Sequence, residues 1–307
     1  MSPADLAEKV EQPSGPVAFV LSGGGKMAST ELGMLAALAE AEIRPDMVLG
    51  SSAGAIIGAA FADRPGALGS VYDCWTEILT APALKWTIPH ATARLISASA
   101  RARAQDCLRS IVERHIKART FDELAVHFEC NAIEMRSVRE HWFDSGPLVP
   151  ALLSAGAAPG MVAHTRIGGE RYIDGGFVDP VPVDRAVRLG ARTVYVLQAS
   201  DFGETPHFPR TFWEAGFAEG SFRFVFEKLL RDLPDGVEVH LLPLGRRRTP
   251  HGLDMIRRIY GFDTAEAGRE GEHYMEAAYQ ATAAYLRLEG QIGRSARKRV
   301  GGHRPAT

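Results

Sequence analysis

The sequence predicts an α/β protein built on a parallel sheet, and three observations carry that reading. PVAFVLS (16–22) is a short apolar run rich in β-branched residues, the pattern of a buried parallel strand. It passes through a glycine-rich turn into a stretch where Leu32, Leu35 and Leu38 recur at helical spacing. The same order repeats at once in MVLG (47–50) and SAGAIIGAAFA (52–62). Strand, helix, strand, helix implies adjacent parallel strands joined by right-handed crossovers.

The rest of the chain reads in the same vocabulary. Residues 67–118 are mostly helical in pattern, with an irregular apolar segment, APALKWTIPHATARLI, inside them. FECNAIEM (128–135) and REHWFD (139–144) read as a pair of strands, and GPLVPALLSAG (146–156) as a helix opening. ERYIDGG (170–176) is a strand ending in a turn, and ARTVYVLQA (191–199) a further buried strand. In SFRFVFEKLLRDL (221–233), Phe222, Val225, Phe226, Leu229, Leu230 and Leu233 form one helical stripe. VEVHLLPL (237–244) is a last strand and 264–289 a final helix. The expected division is an extension (1–15), a catalytic core (16–200), a segment completing the same domain (201–290) and a basic, disordered tail (291–307).

Composition narrows the function. The chain has 307 residues, is 46% hydrophobic and 23% charged, and carries a formal net charge of −2. That balance gives no global footprint for nucleic acid. Three cysteines, Cys74, Cys107 and Cys130, are far apart and odd in number, so they make neither a disulfide framework nor a CxxC metal pattern. The start lacks a basic n-region and an apolar h-region. The longest low-charge stretch, 147–163, is broken by Pro and Gly and is too short to span a bilayer. The expectation is a soluble cytoplasmic protein.

Two motifs carry chemistry. In SGGGKMAS, three glycines between a strand and a helix leave bare N–H groups at a helix start, an anion-binding arrangement. A Walker A loop is excluded, because Val20 stands where its first Gly belongs and Met27 follows Lys26. Gly23, Gly25 and Ala28 satisfy G-x-G-x-x-[GA], but the next strand ends in Gly50-Ser51-Ser52 without the acidic residue a ribose needs. The third use of such a loop is an oxyanion hole, where a preorganised donor contributes about 3–4 kcal/mol. The second motif is GSSAG (50–54). Gly50, Ser51, Ser52, Ala53 and Gly54 fit G-x-S-x-G, whose small residues permit the sharp strand-to-helix turn that exposes a nucleophilic serine. A serine needs a base. None of the ten histidines sits in a motif that marks it as one. Asp174, which ends a β-like run and is followed by Gly175 and Gly176, is the better candidate; an ordinary Asp-Gly turn is the other reading.

At this point the chain resembles the patatin-like phospholipases, serine acyl hydrolases with a Ser–Asp dyad. GGGKMASTELGML, GSSAG and DGG stand in the family's order. The stretch SAGAAPGMVAHTRIGGERYIDGGFVDPVPV also carries its Pro-Gly, Gly-Gly and closing Pro-Val-Pro. The resemblance covers about residues 16–200. It implies a three-layer α/β/α sandwich with a mostly parallel central sheet, Ser52 as nucleophile and Asp174 as base. It further implies an oxyanion hole at Gly24 and Gly25, with Gly23 shaping the loop, and no metal or cofactor. Fatty acyl esters of lipids are the implied substrates. Met27 and Ala28 depart from the family's basic residue and glycine, with Lys26 one position early, and Ala155 stands where a serine is usual, next to Ser154.

The apolar segment around Trp86, followed by Arg94, Arg101 and Arg103, has two readings of equal weight: a flap for transient peripheral membrane contact, or ordinary core beside a solvated basic helix face; the basic tail reads as a loose solvated segment rather than a membrane anchor. Two alternatives stand beside this reading. One is a Ser-His-Asp esterase using a late histidine such as His240 or His251. The other is a nucleotide-binding or scaffold module with an unreactive Ser52.

Overall fold

The computed structural model describes residues 13, 15–84, 93, 97–199, 232–245 and 264–300. Eight strands form one sheet: β1 (Val17–Leu21), β2 (Met47–Gly50), β3 (His127–Glu134), β4 (Arg139–Phe143), β5 (Thr165–Ile167), β6 (Glu170–Asp174), β7 (Thr193–Leu197) and β8 (Glu238–Leu241). The pairs β1–β2, β1–β7, β2–β3 and β7–β8 are parallel, whereas β3–β4, β3–β6 and β5–β6 are antiparallel. Among the described residues the α-helices are α1 (Ser29–Glu40), α2 (Ala53–Asp63), α3 (Leu68–Thr80), α4 (Ala98–His115), α5 (Leu148–Ala155), α6 (Val183–Arg188) and α7 (Thr264–Val300).

Strand β1 shows how the layers arise. All five residues are buried, and they alternate between two cores. Val17, Phe19 and Leu21 join the larger cluster with residues of α1, α2, α3, α4 and α5. Ala18 and Val20 join the smaller one with Val183 and Ala186 of α6. The result is a sheet between two helical layers of unequal depth. Helix α2 is buried from Ala53 to Ala62, and its all-round apolar sequence suits a helix that lies inside the protein.

The structure adds two elements to the sequence reading and changes one expectation. The Gly168-Gly169 pair is a hairpin turn with both residues at left-handed φ (+59° and +89°), and it creates β5, a strand too short to be read from periodicity. The Pro-Val-Pro stretch opens the short helix α6. The last helix does not stop at 289: it continues to Val300, so the tail expected from 291 is helical over its first ten residues. Gln, Arg, Ala and Lys in QIGRSARKRV are helix formers, which a reading based on missing core residues overlooks. The amphipathic stripe at 221–233 and the segment around Trp86 and Arg94 lie outside the described residues.

Helix α7 seats directly on α1. A Cβ built on Gly33 of α1 would lie 2.0 Å from the Met275 carbonyl oxygen, so the two backbones approach as closely as glycine permits. Lys26 pairs with Glu270 at 3.1 Å, and the Tyr279 hydroxyl donates to Glu40. Gly33→Ala is therefore expected to destabilise the chain by about 1–3 kcal/mol. Gly66→Ala, where a Cβ meets open space, is expected to change stability by less than about 0.5 kcal/mol. Urea denaturation of the two variants checks the contrast.

Candidate active site

Strand β2 ends at Gly50 and helix α2 begins at Ala53. Ser52, between them, has φ 53° and ψ −121°. For a non-glycine residue such a backbone costs on the order of 1–3 kcal/mol, and the surroundings have to impose it. They do so by close approach. A Cβ on Gly50 would sit 2.5 Å from the Ala55 Cα, and one on Gly54 2.6 Å from the carbonyl oxygens of Leu21 and Ser22. The buried Ser51 fixes the turn from below: its N–H donates to Leu21 O at 3.1 Å and its hydroxyl to Asp179 O at 3.0 Å. Thus both flanking glycines of GSSAG are required by space.

The sheet register then brings the carboxylate to this turn. On β3, Cys130 pairs with Phe143 and with Gly50, and Ala132 pairs with His141 and with Asp174. Because β4 runs along one side of β3, β2 and β6 must share the other. They run in opposite directions and end facing each other, Gly50 and Asp174 being two β3 residues apart, about 7 Å. Ser52 Oγ donates to Asp174 Oδ2 at 2.6 Å. Asp174 Oδ1 accepts from the Gly176 N–H at 2.8 Å. A Cβ on Gly175 would lie 2.5 Å from the Asn131 side chain, so the turn after Asp174 also needs its glycine.

Asp174 is 2% exposed. Burial pushes its carboxyl up from 3.8 to about 6, against the lowering effect of the hydrogen bonds from Ser52 and Gly176. This is a carboxylate made more basic by its site while still ionised above neutrality.

The glycine loop passes over the serine. A Cβ on Gly23 would lie 3.1 Å from Ser52 Cβ and 3.9 Å from its Oγ. The Gly23 N–H donates to Pro180 O at 3.0 Å, so this glycine shapes the loop rather than presenting a donor. Gly24 packs against Ala199, where any Cβ would meet the alanine methyl at 2.2 Å. Gly25 has φ +56° and faces open space. Lys26 turns away to Glu270, and Met27 and Ala28 point into the core. Ser154 donates to Pro150 O inside its own helix, and Ala155 is buried beside it.

Glu31 escapes sequence reasoning. It is fully buried in the first turn of α1; Ser22 Oγ donates to its Oε1 at 3.3 Å and accepts from the Ala199 N–H at 2.8 Å. Burial raises its pKa well above the ordinary carboxylate range. These contacts lash the ends of β1 and β7 to α1 directly beneath Gly24. The only signal in the sequence was one acidic residue among the apolar positions of ASTELGML. Asp179 braces the turn from the other side; its backbone oxygen accepts from both Ser51 and Asn131.

His240 lies on β8, three strand spacings (about 14 Å) from β2. Its ring stacks on Tyr195 and its Nδ1 hydrogen-bonds the Tyr285 hydroxyl at 2.9 Å, so it is not brought to Ser52. His251 lies outside the described residues. Asp46, the acidic residue nearest the ribose position, accepts from the Val17 N–H at 2.7 Å and ties down the start of β1.

Fold and site together define an α/β protein in which a serine on a strained strand-to-helix turn hydrogen-bonds a buried aspartate at the end of a neighbouring strand. The chain belongs to the patatin-like phospholipase family, whose description matches residues 19–187. An uncharacterized NTE family protein of Mycobacterium bovis is 31% identical over 182 residues, 59% of this chain and 48% of that protein. Lysophospholipase NTE1 of Mycosarcoma maydis is 26% identical over 201 residues, 62% of this chain and 10% of that protein. The chain thus spans about half the length of the first and a tenth of the second. Among solved structures, VipD from Legionella pneumophila aligns with a TM-score of 0.45 at 13% identity, over 90% of this chain and 67% of that one.

The raised carboxyl has a thermodynamic consequence. A folded pKa above the unfolded value means that wild type loses stability as pH rises from about 4 to about 6, then stays penalised above. Asp174→Asn removes that penalty. Its melting temperature is expected to exceed wild type's at pH 8, by the equivalent of about 1–3 kcal/mol, and the gain is expected to vanish at pH 4. Thermal melts across that range check it.

Proposed function

We propose that this chain hydrolyses acyl esters of lipids by acyl transfer through Ser52. The single observation that carries the reading is the 2.6 Å hydrogen bond from Ser52 Oγ to the buried Asp174, on a serine held at positive φ. Family membership and the lysophospholipase names of relatives support the substrate class. Phe177 and Val178, 47% and 50% exposed directly after the Asp174 turn, add apolar surface suited to an acyl chain.

In this mechanism Asp174 Oδ2 takes the hydroxyl proton while Ser52 Oγ forms a bond to the ester carbonyl carbon. The electron pair of the C=O moves to oxygen, and the N–H groups of Gly24 and Gly25 stabilise that anion. Collapse expels the alcohol, which leaves with the proton from Asp174. Water then attacks the acyl-enzyme with Asp174 again as base, releasing the fatty acid and restoring Ser52. A carboxylate is a weak base for a hydroxyl, so the rise to about 6 and the preset geometry both contribute. No helix of the described residues is long and apolar enough to cross a membrane, and substrate is expected to be met at a lipid surface or in dispersed form.

The test is intact-mass labelling with a fluorophosphonate, run beside hydrolysis of a lysophospholipid. A single adduct on Ser52 is expected, Ser52→Ala is expected to abolish both signals, and Asp174→Asn to slow hydrolysis by roughly 10²–10⁴-fold. An unlabelled wild type, or full turnover by Asp174→Asn, would overturn the proposal.

A further inference from the structure

Two neighbouring hairpin tips combine features that folding alone disfavours. The β3–β4 turn is Met135-Arg136-Ser137-Val138. Val138 is 74% exposed and sits at φ +52°, a left-handed conformation that a β-branched residue rarely adopts. Met135 beside it is 38% exposed. Neither the burial of apolar surface nor turn geometry accounts for valine at this position, where glycine or asparagine would relieve both.

The second tip is the β5–β6 hairpin. Arg166 and Arg171 are exposed and directly paired across it, an arrangement in which like charges repel. The Met135 N–H donates to Arg171 O at 2.8 Å, which joins the two tips. Arg136, Arg166, Gly169, Glu170 and Arg171 line a cavity of about 440 Å³. Arg139 flanks Val138 on the other side. Two glutamates offset part of this charge: Glu170, paired with Arg136 at 3.3 Å, and Glu134, across from Arg139. The surplus field reaches His164, whose pKa is lowered first by burial and then by Arg171, Arg166 and Arg101.

We infer that these two tips form a docking surface for an anionic phospholipid membrane, with Val138 and Met135 entering the interface and the arginines meeting phosphate groups. Charge complementarity and the apolar tip together select a lipid surface over a purely polar polyanion, which would leave Val138 without a partner. The location fits. Strand β6 runs from Arg171 to Asp174 in three residues, about 10 Å, so a docked membrane lies within reach of the Ser52 turn.

The inference is testable without relying on the proposed hydrolysis. In a Ser52→Ala background, which leaves vesicles intact, sedimentation with phosphatidylcholine vesicles is compared with vesicles containing phosphatidylglycerol. Binding is expected only to the anionic vesicles, weakening as salt rises. Arg166→Gln with Arg171→Gln is expected to lower partitioning roughly 10–30-fold, and Val138→Asp at least fivefold. In the Ser52-containing chain, the same tip variants are expected to retain turnover of a soluble short-chain ester. Loss of that turnover in wild type would strike the hydrolase reading and leave the docking result standing. Unchanged vesicle binding in the tip variants would overturn the inference. So would a loss confined to the arginine variants with competition by inorganic phosphate, which identifies an anion site, or equal capture of nucleic acid.

Discussion

Two strands that end head to head along one side of β3 set the geometry on which the site depends. β2 arrives parallel to β3 and stops at Gly50; β6 arrives antiparallel and stops at Asp174. Each chain must turn sharply out of the sheet where they meet, and the two turns carry Ser52 and Asp174. The 2.6 Å contact is therefore a product of register, since a one-residue slip of β6 would turn Asp174 to the other face. This also explains a mixed sheet: a parallel neighbour could not present its end to the end of β2.

Close backbone approach sustains the strain at Ser52. Glycines at 50, 54 and 175 sit where any Cβ would overlap backbone or the Asn131 side chain, and Ser51, Asn131 and Asp179 O brace the underside. The same packing buries Asp174 and raises its pKa. Positive φ and a desolvated carboxylate both oppose stability, and in the proposed mechanism both prepare Ser52 for proton transfer. On the far side of the loop, Ser22, Glu31 and Ala199 hold Gly24 in place through α1, itself covered by α7.

The local motifs were legible because each depends on short-range chemistry. GSSAG lies between an apolar strand and an apolar helix, and DGG closes a strand. That these two meet was not readable from spacing, because 122 residues separate Ser52 from Asp174; the resemblance supplied the pairing and the register supplies its reason. The resemblance sets Gly23 apart from Gly24 and Gly25 as the residue that shapes the loop, and tertiary contact gives the physical reason: its N–H is engaged by Pro180. β5 was missed because three residues carry no periodicity. Glu31 was missed because a buried acid in a helix looks like a surface acid until its neighbours are known. The end of α7 differs from the expectation because a segment poor in core residues can still be rich in helix formers.

The most direct test of the central claim is the pH dependence of fluorophosphonate acylation at Ser52, followed by stopped-flow or quench. If Asp174 is the base, the rate constant rises with pH through one apparent pKa near 6 and levels off above 7, and that inflection disappears in Asp174→Asn. An inflection that survives in Asp174→Asn, or one removed by replacing a histidine, would contradict the account and assign the proton to another group.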